Sequence, residues 1–180
     1  MKNQFTELPI PTADGQFVAR YSEKGLTELD FPNANRRRRG NGSPSSPPNG
    51  QTGSSSRRLL PIPGKIRAWH RATEAALKNV LAGYAAKNLP PLDPAGTEFQ
   101  KRVWNALRKI SVGKSKSYGE IARAISKPKA VRAVGGACGA NPIPVLVPCH
   151  RVLAANKKLG GFSGGLNWKR TLLAREGLSL

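Results

Sequence analysis

The run Ile143–Pro144–Val145–Leu146–Val147 is apolar and β-branched, and it leads straight into Pro148–Cys149–His150–Arg151–Val152. The first stretch reads as a short buried strand. A thiol at the mouth of such a strand, beside an imidazole and a guanidinium, has the pattern of an activated nucleophile. Only roughly a few per cent of an ordinary thiol is ionised near neutral pH, and a neighbouring base or cation raises that fraction. Other uses of these residues compete. A zinc site would need Cys138, Cys149, His150 and His70, whose spacing matches no common zinc motif. A Cys138–Cys149 disulfide would be unusual in a reducing compartment. An inert buried cysteine remains open on these residues alone.

The elements that must position this thiol can be read outward from it. Upstream, Ser117 and Glu120 form a capping box, opening a short helix with Tyr118, Ile121, Ala122 and Ile125 inward. Ser126–Lys127–Pro128 stops that helix and starts the next, since proline suits a first helical turn. The second helix is expected over Lys129–Cys138, and the pair forms a helix-turn-helix pattern. Ala130, Ala133, Gly135, Gly136 and Ala137 are small, and paired glycines are costly inside a helix. They imply either close helix packing or close approach to an outside surface such as a nucleic-acid groove. Arg132 is the one long cation among them. Further back, Thr97 and Gln100 form another capping box, with Phe99, Val103, Trp104, Leu107 and Ile110 on the buried face. A helix over Ile66–Lys87 shows a stripe of Ile66, Trp69, Ala72, Ala76, Leu77, Val80, Leu81 and Tyr84. His70 beside it reads as packing or surface. Phe17, Ala19 and Tyr21 alternate with polar neighbours, Glu23–Lys24–Gly25 turns, and Thr27, Leu29 and Phe31 resume the period of two, which is a hairpin.

Composition limits the partners. The chain has 180 residues, with 30 Lys+Arg against 10 Asp+Glu, a formal net charge of +20, and a sequence pI of about 11.0. Between Phe99 and Arg175 there are sixteen Lys/Arg and one acid, Glu120. A folded segment so basic implies a polyanion, with nucleic acid first and an anionic membrane surface second. No helix pairs a basic face with a large apolar one, and no apolar run is long enough to span a bilayer. The first residues lack the basic-then-apolar order of a secretory signal, and two cysteines make no disulfide scaffold, so a reducing cytoplasm is expected. Asn33 to Arg58 has one apolar residue, Ala34. It reads as a flexible basic insertion whose arginines, Arg36–Arg39 and Arg57–Arg58, either hold phosphates or decorate the surface.

The string Asn141–Pro142–Ile143–Pro144–Val145–Leu146–Val147–Pro148–Cys149–His150–Arg151–Val152 resembles the active-site signature of the O6-alkylguanine-DNA alkyltransferases, the methylated-DNA–protein-cysteine methyltransferase family. Gly96–Gln100, Val103–Trp104, Ser117–Tyr118, Arg132–Ala137, Gly161–Leu166 and Leu173–Gly177 resemble further blocks in the same order. The likeness is dense from Gly96 to Gly177 and loose before it. It implies an α/β (α+β) protein. A small ribonuclease H-like N-terminal domain of sheet and helix would occupy residues 1–92, with the basic insertion at 33–58. A mostly helical domain, residues 93–180, would carry the helix-turn-helix and the cysteine loop.

The resemblance also implies roles. Double-stranded DNA carrying O6-alkylguanine would be the partner of a monomeric protein, with O4-alkylthymine a second candidate lesion. The damaged base would be flipped out. Cys149 would take the alkyl group for good, in one turnover, with no cofactor. His150 would draw off the thiol proton through a water, and Glu176 would orient the imidazole. Tyr118 would bond the ring nitrogen, the backbone N–H at Ser163 would meet the oxygen, and backbone carbonyls of Cys149 and Val152 would read the exocyclic amine. Asn141 would tie the second helix to the cysteine loop. Pro144, Val152, Phe162 and Ser163 would line the pocket. Arg132, Ala133, Gly135, Gly136, Ser117 and Arg151 would face DNA, with Arg132 filling the space left by the flipped base and the small residues admitting the helix to the minor groove. Phe162 stands where many members have tyrosine. Some relatives hold zinc in the N-terminal domain; this chain has no cysteine before Cys138, so no metal is expected. Two alternatives remain: a non-catalytic alkylguanine-binding module and a generic helix-turn-helix regulator.

Overall fold

The computed structural model describes residues 5–32, 61–155 and 158–179. The basic insertion at 33–58 lies outside the described residues. Three antiparallel strands come first: β1 Thr6–Thr12, β2 Gly15–Tyr21 and β3 Leu26–Asp30, in the order β1-β2-β3. The alternation seen in the sequence sets the faces of β2, with Phe17, Ala19 and Tyr21 fully buried. The hairpin is therefore one half of a three-stranded meander, and β1 is the strand the sequence does not announce. Pro9 and Pro11 interrupt its pattern, which an edge strand tolerates because one row of N–H groups needs no partner. On the other face Arg20 reaches Glu7, Glu28 and Asp30 at 2.8, 2.8 and 2.7 Å across all three strands.

Helix α1, Gly64–Leu81, packs on the sheet through Ile66, Thr73, Ala76, Leu77, Val80 and Leu81. It stops earlier than the expected Lys87, and Tyr84 is exposed, not part of the stripe. The cause is Gly83, at φ +86°, where a Cβ would lie 2.1 Å from the carbonyl oxygen of Arg175. The chain needs both a left-handed residue and no side chain there. Helix α2, Glu98–Leu107, opens on the Thr97/Gln100 capping box. The indole of Trp104 donates to the carbonyl of Ala137 at 2.8 Å, fixing α2 against the later helix pair.

That pair is α3, Tyr118–Ala124, capped reciprocally by Ser117 and Glu120, and α4, Val131–Gly139. Helix α4 begins two residues later than expected. Pro128 sits inside a turn closed by Ala130 N–H on the Lys127 carbonyl at 2.8 Å, not in a helical first turn. A two-stranded parallel ladder, β4 Lys116–Ser117 with β5 Val152–Leu153, ties the entry of α3 to the segment after Cys149. Helix α5, Leu166–Arg175, closes the fold. Among the described residues no helix is long and apolar enough to cross a membrane.

The expected strand over Ile143–Val147 is not one. The segment is buried but folds back on itself: Val147 N–H bonds the Ile143 carbonyl and Leu146 N–H the Pro144 carbonyl, both at 2.9 Å. Pro142 and Pro144 cannot donate to a ladder, and Val145 sits at φ +72°.

Phe31, just past β3, locks the sheet to the C-terminal half. Its ring lies 5.6 Å from Phe17, 5.1 Å from Trp168 and 5.6 Å from Phe162. Replacing Phe31 by alanine is expected to lower stability by about 3–4 kcal/mol, the usual loss for a buried ring. Urea unfolding checks this, and a loss below ~1 kcal/mol would mean that the aromatic cluster does not join the two halves.

Candidate active site

Cys149 opens a single 3-10 turn, Cys149–Arg151, immediately after the folded-back segment. It is only 4% exposed, and its sulfur accepts a hydrogen bond from Asn141 Nδ2 at 3.1 Å. Burial pushes the thiol up to about 11, with Asn141 and the charge of Lys169 pulling weakly the other way. The sequence led us to expect a partly ionised thiol beside its base. The resting thiol is instead neutral, because desolvation outweighs every favourable neighbour.

His150 is fully buried. Its Nε2 lies 2.9 Å from Glu176 Oε1, and Nδ1 has no hydrogen-bond partner among the described residues. A carboxylate only accepts, so Nε2 carries the hydrogen and Nδ1 presents its lone pair. Burial holds the imidazole below its ordinary value, against the pull of Glu176 in the other direction. For Glu176, burial alone would raise the carboxyl, yet the bonds from His150 and Arg151 bring it below the usual carboxylate range.

Asn141 has the connecting position expected of it. Beyond the sulfur, Nδ2 donates to the Val147 carbonyl at 2.8 Å and Oδ1 accepts from Ile143 N–H at 3.1 Å, while its own N–H meets the Cys138 carbonyl at the end of α4. One amide side chain thus pins the folded-back segment, the sulfur and the helix.

Two cations need reassignment. Arg151, expected on the DNA face, is 6% exposed. Its Nε meets both Glu176 oxygens at 3.1 and 3.0 Å, Nη2 meets Oε1 at 2.9 Å, and Nη1 donates to the Ile110 carbonyl at 2.6 Å. The Glu176 carboxylate and the Ile110 carbonyl hold it inward. Lys169 is a site residue the sequence reading missed. It is fully buried, donates to the carbonyls of Val152 at 2.7 Å and Gly160 at 3.3 Å, and burial lowers its ammonium. Its place three residues before Leu172, on the buried stripe of α5, was the available signal.

The remaining residues border this interior. Tyr118 is half-buried, and burial raises its phenol. A Cβ on Gly160 would fall 2.5 Å from the Tyr118 hydroxyl, so the glycine lets the two surfaces meet. Phe162 stands edge-on to His150 with ring centroids 6.3 Å apart. Pro144 and Val152 are buried, while Ser163 is exposed. The Val152 carbonyl already receives Lys169, and the Cys149 carbonyl receives Val152 N–H; each keeps one lone pair. Ser117 holds its hydroxyl on Glu120 as a helix cap. On α4, Arg132, Ala133 and Gly136 are exposed, and a Cβ on Gly136 would meet nothing within 4 Å. Internal packing therefore does not require that glycine. For Gly135 the nearest atom is Tyr118 Cε1 at 4.0 Å. The residues of the zinc alternative are not gathered: His70 pairs with the Tyr21 hydroxyl at 3.2 Å, and no group of three or more metal-ligating side chains occurs among the described residues.

Residues 98–178 match the family model described as the DNA-binding domain of 6-O-methylguanine DNA methyltransferase. The methylated-DNA–protein-cysteine methyltransferase of Methanosarcina acetivorans is 54% identical over 112 residues, covering 62% of this chain and 69% of the relative. The chain belongs to that family. The enzyme of the same name from Haemophilus influenzae is 56% identical over 86 residues, which is 48% of each, so the chain spans about half the length of that relative. The crystal structure of Mycobacterium tuberculosis OGT in complex with DNA superposes with a TM-score of 0.70 at 36% identity, covering 93% of this chain and 90% of that one. The mixed α/β fold, a small sheet followed by helices, is thus shared with solved methyltransferases. Within the family frame Asn141 is the clearest structural support of the cysteine. Asn141→Ala leaves a buried carbonyl and a buried N–H without partners and should cost about 2–4 kcal/mol in urea unfolding. A loss under ~1 kcal/mol would show that the cysteine segment holds its shape without it.

Proposed function

We propose that this chain repairs DNA directly by moving the O6-alkyl group of guanine onto Cys149, once per molecule. The observation that carries the reading is a buried thiol followed directly in the chain by a buried imidazole, whose Nε2 bonds a carboxylate and whose Nδ1 has no partner among the described residues. A thiol held near 11 costs roughly 5 kcal/mol to ionise at neutral pH, at about 1.4 kcal/mol per pH unit. Ionisation is therefore deferred until the substrate is in place. The thiol proton passes to His150 Nδ1 through a bridging water, and Glu176 stabilises the imidazolium. The sulfur attacks the alkyl carbon in line, the C–S bond forms as the C–O bond breaks, and guanine leaves as an anion. Tyr118 donates to its ring nitrogen and the Ser163 N–H to its oxygen. The remaining lone pairs of the Cys149 and Val152 carbonyls take the exocyclic amine.

Helix α4 would enter the minor groove by its exposed Ala133 and Gly136 edge, with Arg132 standing in for the flipped base. The surrounding lysines and arginines would hold phosphates in a salt-dependent way without reading sequence. We read residues 1–92 and 93–180 as two units, the first a ribonuclease H-like domain of sheet and helix; the three-stranded meander with α1 packed on it supports this. No side chain described in the site reverses a thioether, which supports one turnover per molecule.

Intact mass spectrometry after mixing with a duplex containing O6-methylguanine tests the proposal. The expected result is a gain of one methylene on the peptide holding Cys149, limited to one per molecule, and none for Cys149→Ala. Tight binding to the lesion duplex with no mass gain in the wild type would instead make the protein a lesion-binding module.

A further inference from the structure

Arg151 has no part in the chemistry described above, yet it makes four short contacts in the interior, three of them with the carboxylate that serves His150. Glu176 Oε1 is shared: it accepts from His150 Nε2 at 2.9 Å and from Arg151 Nη2 at 2.9 Å. Neither side chain of the Arg151–Glu176 pair has more than a trace of solvent contact, at 7% and 0%. In so dry a place the total charge of a cluster matters more than any single attraction.

We propose that Arg151 is a positioning residue whose charge cancels that of Glu176, so that His150 rests as the neutral Nε2–H tautomer with Nδ1 open to the Cys149 proton. This rests on the alkyl-acceptor reading of the site and extends it. With arginine present, the guanidinium, the carboxylate and a neutral imidazole sum to zero. Adding a proton to the ring would leave a buried net positive charge, which the low dielectric opposes. With arginine removed, the carboxylate and a neutral ring sum to minus one, and a proton taken from solvent restores neutrality. That proton would occupy Nδ1, the atom needed as the base. The arginine thus keeps the base free at neutral pH instead of strengthening it.

The groups facing His150 are consistent with this. They are Glu176 at the end of α5, Lys169 within α5, and Cys149 and Arg151 on its own turn. Cys138 of α4 and Tyr118 of α3 face Cys149. Lys169 acts on the imidazole in the same direction but more weakly than Arg151, and its ammonium is bonded to the Val152 and Gly160 carbonyls and not to Glu176. The charge of Arg151 also acts on the imidazole in the direction that keeps it neutral.

The chain has two histidines, so nitrogen-15 labelled histidine gives two resolvable rings, and His70→Gln assigns them. At neutral pH the wild type is expected to show His150 as the neutral Nε2–H form, and Arg151→Met as the doubly protonated form. In single-turnover methyl transfer from the lesion duplex, the acid limb of the pH–rate profile should rise by about one pH unit or more in Arg151→Met. Arg151→Lys should bring both readouts back towards wild type. The double change Arg151→Met with Glu176→Gln should return the limb to low pH at a reduced rate, since no carboxylate remains to neutralise. A fall in rate or stability with an unmoved limb and an unchanged ring would overturn the proposal and leave a merely structural ion pair. A doubly protonated His150 in the wild type at neutral pH would overturn it even if Arg151→Met did not fold. If the wild type transferred no methyl group, the alkyl-acceptor reading would fail, while the ring spectra would still decide the role of Arg151.

Discussion

Burying a sulfur nucleophile suppresses it, and most of this structure is arranged around that suppression. Cys149 is neutral at rest because water is excluded from it. The segment before it folds back instead of extending, the 3-10 turn carries it past Pro148, and Asn141 bonds to both. A sealed thiol does not react with passing electrophiles. It becomes a nucleophile only when a proton acceptor is at hand and the reacting carbon has displaced whatever else could occupy the site. On the proposed function those conditions would coincide when a base is delivered from outside, which would give the protein selectivity in what it is used on.

Delivery and acceptance lie on opposite sides of one short connection. Helix α4 presents a nearly side-chain-free edge with Arg132 exposed upon it, and its far end runs through the Cys138 carbonyl to Asn141 and so to the sulfur. Trp104 holds the same helix from behind through the Ala137 carbonyl. The N-terminal sheet braces the other wall: Phe31 packs on Phe162, and Phe162 stands edge-on to His150. Through these rings the sheet limits where the imidazole can sit.

Much of this was legible in the residues. Both capping boxes appear where Thr97/Gln100 and Ser117/Glu120 announce them, because a cap is decided by side chains three positions apart. The alternation of β2 and the stripe of α1 are equally local. What stayed hidden depended on tertiary context. Prolines masked β1, whose place at a sheet edge no local pattern reveals. Val145 and the two prolines around Ile143 turned an apolar run into a loop, which the Asn141 side chain holds from inside beside the loop's own backbone bonds. Pro128 took a turn that reads equally well as a helix start. Cys149, His150, Glu176 and Asn141 were named from the resemblance, and the fold places Asn141 on the sulfur and Glu176 on the imidazole. Arg151 and Lys169 were misjudged or missed because a cation is ordinarily assigned to the surface, and only the fold shows that these two are turned inward.

The sulfur of Cys149 is neutral until a substrate makes it otherwise. This is tested most directly by the ultraviolet absorbance of thiolate, taken as the difference between the free protein and Cys149→Ser across a pH titration. No thiolate signal from Cys149 is expected at neutral pH; it should appear only in the alkaline range, around the value of about 11 that burial imposes. A thiolate band already present at neutral pH in the free protein would contradict this, and would mean that the nucleophile is charged before any base arrives.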